Sequence, residues 1–183
     1  MPKIDPHRSW LPLAARAVHE PNPRRRGLLL KVRDHMESEI KGQLEPLMAT
    51  LTADPIYHFW GNAPSVLEGR EAIRGFYSAM IARGGQQFEV VVDRIVVDDD
   101  AVITEGQVKQ VYKGDALLAM GMKELDGAPI APEDLIMTTA QLVTVWPADA
   151  DGLLIGEDIY FGHDPFRNAE RIRREDLPDY YTL

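Results

Sequence analysis

Five histidines, at positions 7, 19, 35, 58 and 163, are the side chains of this sequence best suited to take or give a proton near neutral pH, because the imidazole pKa ordinarily lies near 6.5. None of them stands at the spacing that sets two imidazoles on one helix face around a metal. Asp98-Asp99-Asp100 lacks the glycine and distal glutamate of a calcium loop. No cysteine is present, so thiolate metal sites, disulfides and cysteine nucleophiles are absent, and nothing argues for an oxidising compartment. Gly84-Gly85 closes a helical pattern and precedes a strand, the reverse of the order that cradles a phosphate. Proton transfer and hydrogen bonding remain, with no structural metal and no cofactor expected.

Those groups must be positioned by one domain with tails. The 183 residues, 45% hydrophobic and 27% charged, can bury one sizeable core and are short for two. A formal charge of −9 repels phosphate backbones and anionic headgroups, and the one dense basic run is Arg24-Arg25-Arg26. Nucleic-acid binding is disfavoured. No apolar run reaches membrane-spanning length and no charged-then-apolar leader opens the chain, so a soluble cytoplasmic protein without membrane association is expected.

Prolines 2, 6, 12, 21 and 23 mark residues 1–23 as an N-terminal arm around a short helix at 13–19. Leu28, Leu29, Val32, Met36 and Ile40 form a helical stripe over 24–41 that stops at Gly42. A shorter helix follows at 44–51, then a strand at 56–60 and a helix at 70–82. Beyond Gly85, β-branched and aromatic residues alternate with polar ones through 88–97, 101–113, 136–146 and 153–161, an antiparallel meander. The long connection between 113 and 136 either extends the strands or lids one end. Residues 165–183 form a tail with a capped helix at 165–175, where Asp164 and His163 serve as cap rather than catalyst.

The element order is α+β, with a curved antiparallel sheet wrapped around a long N-terminal helix and helical extensions at both ends. Strand, loop, "EGREAIRGFY" and meander resemble the nuclear transport factor 2-like superfamily of cones, which includes SnoaL-type polyketide cyclases, ketosteroid isomerase, limonene epoxide hydrolase and scytalone dehydratase. The resemblance spans residues 24–164, about three quarters of the chain. Its motif residues Gly69, Ala72, Ile73, Phe76 and Tyr77 also have a plain packing role.

The resemblance implies which strand positions face the cavity, since i±2 neighbours share a face. Counting back from Gly69 places Trp60 where the isomerase has its catalytic aspartate, so His58 and Trp60 turn inward and Tyr57 and Phe59 outward. "DIYFG" turns Glu157, Ile159 and Phe161 inward. "VTVW" places Gln141 at the isomerase's protonated aspartic acid, with Thr139 and Val143 beside it. The donor tyrosine falls on His35 with a one-residue gap, or on Met36 without it. The epoxide hydrolase triad is missing: Gly106, Val108 and Ile159 stand where its Arg and two Asp belong.

The implied cavity holds His58, Gln141, Glu157, His35, Thr139 and Gln110 on walls of Trp60, Val108, Val143, Ile159 and Phe161. It suits a small hydrophobic ligand bearing one or two oxygens. His58 is the expected base, Gln141 the donor to an enolate-like oxygen, and Glu157 the acid or the group holding the imidazole. Isomerisation, aldol-type cyclisation or dehydration beside a carbonyl would follow. A plainer reading has His58 and His35 as hydrogen-bonded core residues, Glu157 paired with an arginine, and Trp60 plugging a non-catalytic ligand-binding or dimerisation module. Under either reading a homodimer is expected through an outer sheet face carrying Glu105, Gln107, Lys109, Leu142, Thr144, Trp146, Asp158 and Tyr160.

Overall fold

A computed structural model describes residues 2–61 and 63–183; Met1 of the expected arm and Asn62 of the expected loop lie outside the described residues. After a 3-10 turn at Pro6–Arg8 come helices α1 (Leu11–Val18), α2 (Pro23–Ile40) and α3 (Leu44–Met48). Strands β1 (Leu51–Trp60) and β2 (Ser65–Glu68) precede α4 (Arg70–Ala82), β3 (Phe88–Val97) and β4 (Ala101–Lys113). Helix α5 (Gly114–Ala119) and the small hairpin β5 (Glu124–Leu125) and β6 (Ala128–Pro129) lead into β7 (Leu135–Pro147), β8 (Leu154–Phe161) and β9 (Glu170–Ile172). Among the described residues, no helix is long and apolar enough to cross a membrane.

The fold is α+β. Its curved, unclosed sheet runs β2-β1-β8-β7-β4-β3, with β9 added to β7. All these neighbours are antiparallel except β1 and β8, which run parallel. Register shifts between Leu51 and Ile56 and between Val92 and Arg94 insert extra residues that bend the strands. The concave face packs α2 through Leu28, Leu29, Val32 and Met36, which share one buried cluster with Tyr57, Val90, Val102 and Trp146.

Local sequence accounts for the helix ends. The Asn22 side chain accepts from the amides of Arg24 and Arg25 at 2.8 and 3.3 Å, and Pro23 fills the first turn where its missing N–H costs nothing. At the start of α4, Gly69 takes φ +82°, a conformation open to glycine, and its amide donates to Pro55 O at 2.9 Å. Ile73, Tyr77 and Met80 then turn to the core.

Several expectations are corrected by pairing that local sequence does not announce. The strand expected at 56–60 begins at Leu51, and β2 appears where a loop was expected. The expected tail helix at 165–175 is a 3-10 turn at Pro165–Asn168, then β9, then a second 3-10 turn at Arg174–Asp176. Asp164 caps the first turn by accepting from Phe166 N at 2.8 Å. The tail is extended because pairing with β7 buries Ile172 among Ile4, Val111, Met137, Leu177 and Tyr181. Chain ends meet there: Lys3 N donates to Asp176 O at 2.8 Å. In the 113–136 connection β4 keeps its expected bounds, β7 gains one residue at each end, and α5 lines one end of the cavity.

Leu142, Thr144 and Trp146, expected on the outer face, are buried on the concave one. The Trp146 indole donates to Thr104 Oγ1 at 3.1 Å across the β4–β7 pair. Close backbone approach explains Gly106: a Cβ there would lie 1.8 Å from Val91 O, beside the β3 bulge. Gly106→Ala should therefore destabilise the fold by about 3 kcal/mol or more, by overpacking against main chain that cannot yield. Urea unfolding checks this, and a stability equal to the parent's would refute the close approach.

Candidate active site in the cone

Between the concave sheet, α2 and α4 lies a cavity of about 850 Å³. Met36, Ile40, Phe59, Phe76, Met80, Val108, Leu142 and Ile159 make its walls apolar. At its buried inner end Glu39, Tyr57, Tyr77, Thr104, Thr144 and Glu157 converge from α2, β1, α4, β4, β7 and β8.

One compact cluster organises that end. Tyr77 Oη lies 3.0 Å from Glu157 Oε1, 3.0 Å from Tyr57 Oη and 3.0 Å from His35 Nε2. Tyr57 Oη is 3.3 Å from the same imidazole nitrogen, and Glu157 Oε1 is 3.2 Å from it. The other ring nitrogen fixes the tautomer: Thr50 Oγ1 donates to Leu47 O at 2.6 Å, so at 2.6 Å from His35 Nδ1 it can only accept. Nδ1 therefore carries a proton. Nε2 then faces Glu157 Oε1 and the two phenol oxygens, and a phenol O–H can donate to it.

Burial, and next the charge of Glu157, push both phenols well above their ordinary range, which keeps Tyr57 and Tyr77 neutral donors. Glu39 is held differently. It receives no hydrogen bond from the described residues, and desolvation, seconded by the Glu157 charge, raises its carboxyl well above the ordinary 4.5. The side chain is half-buried and lines the cavity. Glu39 is thus shifted toward its neutral form beside a carboxylate that is already hydrogen-bonded.

Of the residues expected in the cavity, Glu157, Gln110, Val108, Ile159 and Phe161 line it. His35 sits directly behind the lining, with no exposed surface. His58, Trp60, Thr139 and Gln141 do not reach it; they lie on the opposite face of the sheet, as does Val143. His58 Nδ1 pairs there with Asp158 Oδ1 at 2.7 Å and stacks on Trp60. Thr139 and Gln141 border a separate outer hollow of about 280 Å³ with Glu105, Gln107 and His163. His58 cannot be the base of a reaction in the cone, nor Gln141 its oxyanion donor.

The reason is parity. A one-residue slip reverses every side chain of a strand, and β1 and β7 are amphipathic in neither sense: Tyr57 and Phe59 are as apolar as Trp60, and Leu142 as Val143. The pairing decides it. In the parallel register His58 sits beside Asp158 and Trp60 beside Tyr160, so both take the outward face of those β8 residues. Glu39, Tyr57 and Tyr77 were missed. Glu39 had a readable signal, being a carboxylate one turn beyond His35 on the helix face of Met36 and Ile40. Among the described residues, no group of three His, Cys, Asp or Glu side chains could hold a metal.

A helix-filled cone with one apolar cavity and acidic groups at its inner end is a small-molecule pocket architecture. The chain belongs to the SnoaL-like domain family, whose model matches residues 32–130. Solved structures agree in fold. A protein of Shewanella putrefaciens CN-32, provisionally assigned as a SnoaL-like polyketide cyclase, superposes with a TM-score of 0.61 at 16% identity, covering 86% of this chain and 92% of its own. A second such protein, from Jannaschia sp. CCS1, gives 0.57 at 20% identity over 79% and 91%. The epoxide hydrolase/cyclase-like enzyme SalBIII, of pyran ring formation in the polyether salinomycin, gives 0.53 at 12% identity over 75% and 92%. Among curated proteins no sequence match reaches significance.

The state of Glu39 has a consequence for stability. Above about 4.5 the unfolded chain has lost this proton while the folded chain keeps it, so the folded state binds more protons and its stability falls as pH rises, until the raised folded pKa is passed. Glu39→Gln should remove that slope, gaining on the parent by about 1.4 kcal/mol per pH unit within this window. Urea unfolding between about pH 5 and about pH 7 measures it; parallel pH profiles would show Glu39 ionised in the fold.

Proposed function

We propose that this protein binds a small, mostly apolar molecule bearing a carbonyl and moves a proton at the adjacent carbon, as an isomerase, cyclase or dehydratase would. What supports this is that two carboxyl groups with unlike surroundings border one apolar cavity: Glu157, hydrogen-bonded by Tyr77 beside His35, and Glu39, unpartnered and desolvated. Glu157 takes the proton from carbon, and its second oxygen is free of hydrogen bonds from the described residues. Glu39, holding its own proton, donates to the oxygen that becomes enolate-like, a role for which a desolvated neutral acid is suited. His35 and the two phenols surround the Glu157 carboxylate that takes this proton. Both proton-handling groups come from the chain, so the reading calls for no cofactor.

Exchange of the α-protons of 2-tetralone in D₂O, followed by NMR, tests this without knowledge of the natural substrate. The parent should accelerate exchange over buffer, and Glu157→Gln should lose about 100-fold or more of that acceleration. Tetralone that binds without accelerated exchange would leave the cone as a ligand-binding module and remove the chemistry.

The outer sheet face supports a homodimer, with a composition different from the one read off the sequence. Trp60 and Tyr160 stack there and are both more than 40% exposed, next to Val66, Val143 and Val145. The His58–Asp158 pair lies within this patch, and a twofold axis through it would set each histidine against the other copy's aspartate, a self-complementary contact. Trp60→Glu should convert a dimer to a monomer in sedimentation equilibrium, and a monomeric parent would dismiss the interface.

A further inference from the structure

We propose that the molecule held in the cone carries an anionic head group that stays at the cavity mouth between Arg83 and Lys113, a deepening that rests on the apolar-pocket reading above. The cavity is electrically polar. Its inner end presents the carboxylate of Glu157, which would repel an anion, beside Glu39. Its mouth presents Arg83, at the C-terminal end of α4, and Lys113, the last residue of β4, both exposed.

In a chain of net charge −9 most basic side chains find a carboxylate, yet neither of these has one within ion-pair distance among the described residues. Asp115 is the carboxylate on the same rim, and its Oδ1 accepts from Ala116 N at 2.7 Å. Arg83 and Lys113 therefore share this part of the lining with Asp115 without pairing with it. Their placement is built into the fold. Tyr112 Oη donates to Gln110 Oε1 at 2.8 Å and Gln110 Nε2 donates to Gly85 O at 3.1 Å, which stitches the end of β4 to the turn that carries Arg83. Burial raises the Tyr112 phenol above its ordinary range, and the Arg83 charge works against that rise.

Exposed Met120 and Phe161 add an apolar rim, so the lining passes from cationic and apolar at the mouth to apolar walls and then to acids. An amphiphile entering this gradient is oriented: anion outward, carbonyl end inward toward Glu39 and Glu157. Carboxylate and phosphate share the required chemistry.

Titration calorimetry with decanoate, decyl phosphate and methyl decanoate separates the possibilities. The anions should bind about tenfold more tightly than the neutral ester, the sum of two partly exposed charge contacts, with the advantage shrinking in salt. In R83Q/K113Q the three affinities should converge, whereas R26Q/K31Q, which removes equal charge from α2 away from the mouth, should keep the preference. The tighter anion then identifies the head group. Equal affinities in the parent, or a preference that survives R83Q/K113Q, would overturn the head-group inference while leaving the apolar pocket intact. Failure of all three to bind would overturn both.

Discussion

Burial of Glu157 constrains everything around it. A carboxyl group taken out of water must be hydrogen-bonded or neutralised, since isolated burial of its charge costs several kcal/mol. Here the partners come from three other elements: Tyr77 on α4, and Tyr57 on β1 through it, with His35 on α2 behind both. The cluster acts as a polar rivet joining two helices to the sheet. Thr50, just before β1, locks the far side of the imidazole, so His35 cannot rotate to relieve the arrangement.

That rivet leaves Glu39 exposed to the consequences. One turn along α2 from His35, it faces the same cavity and the same charge but has no donor of its own among the described residues. Protonation is the cheapest way to accommodate it. The contrast between a supported carboxylate and an unsupported acid arises from the rivet's geometry, and it gives the cone chemical direction at its inner end. At the opposite end, α5 and the turn after α4 bring basic and apolar side chains to the rim, giving the cavity two chemically distinct poles.

Much of the architecture was legible in the sequence for simple reasons. The helix at 70–82 and the strands at 88–97 and 101–113 agree with the structure because glycines and acidic turns punctuate strongly patterned runs. Glu157, Ile159, Phe161 and Gln110 could be assigned to the concave side. The tail misled because Pro165–Asn168 reads as a helix start, while the pull of Ile172 toward a distant hydrophobic cluster outweighs that local preference. Tyr57 and Tyr77 looked like packing residues, and they do pack; their hydroxyls gain meaning only from each other and from Glu157, 80 residues beyond Tyr77 in the chain.

By itself the sequence determined the class of fold, through the periodicity and order of its elements, and the absence of cysteine, while the apolar cavity was implied by the family resemblance. The tertiary structure decided which side of β1 and β7 looks inward. That choice exchanged His58, Trp60, Thr139 and Gln141 for Tyr57, Phe59, Thr138 and Leu142 in the lining. A strand with two apolar faces carries no internal record of its parity; only its partner's register, set by the whole sheet, can supply one.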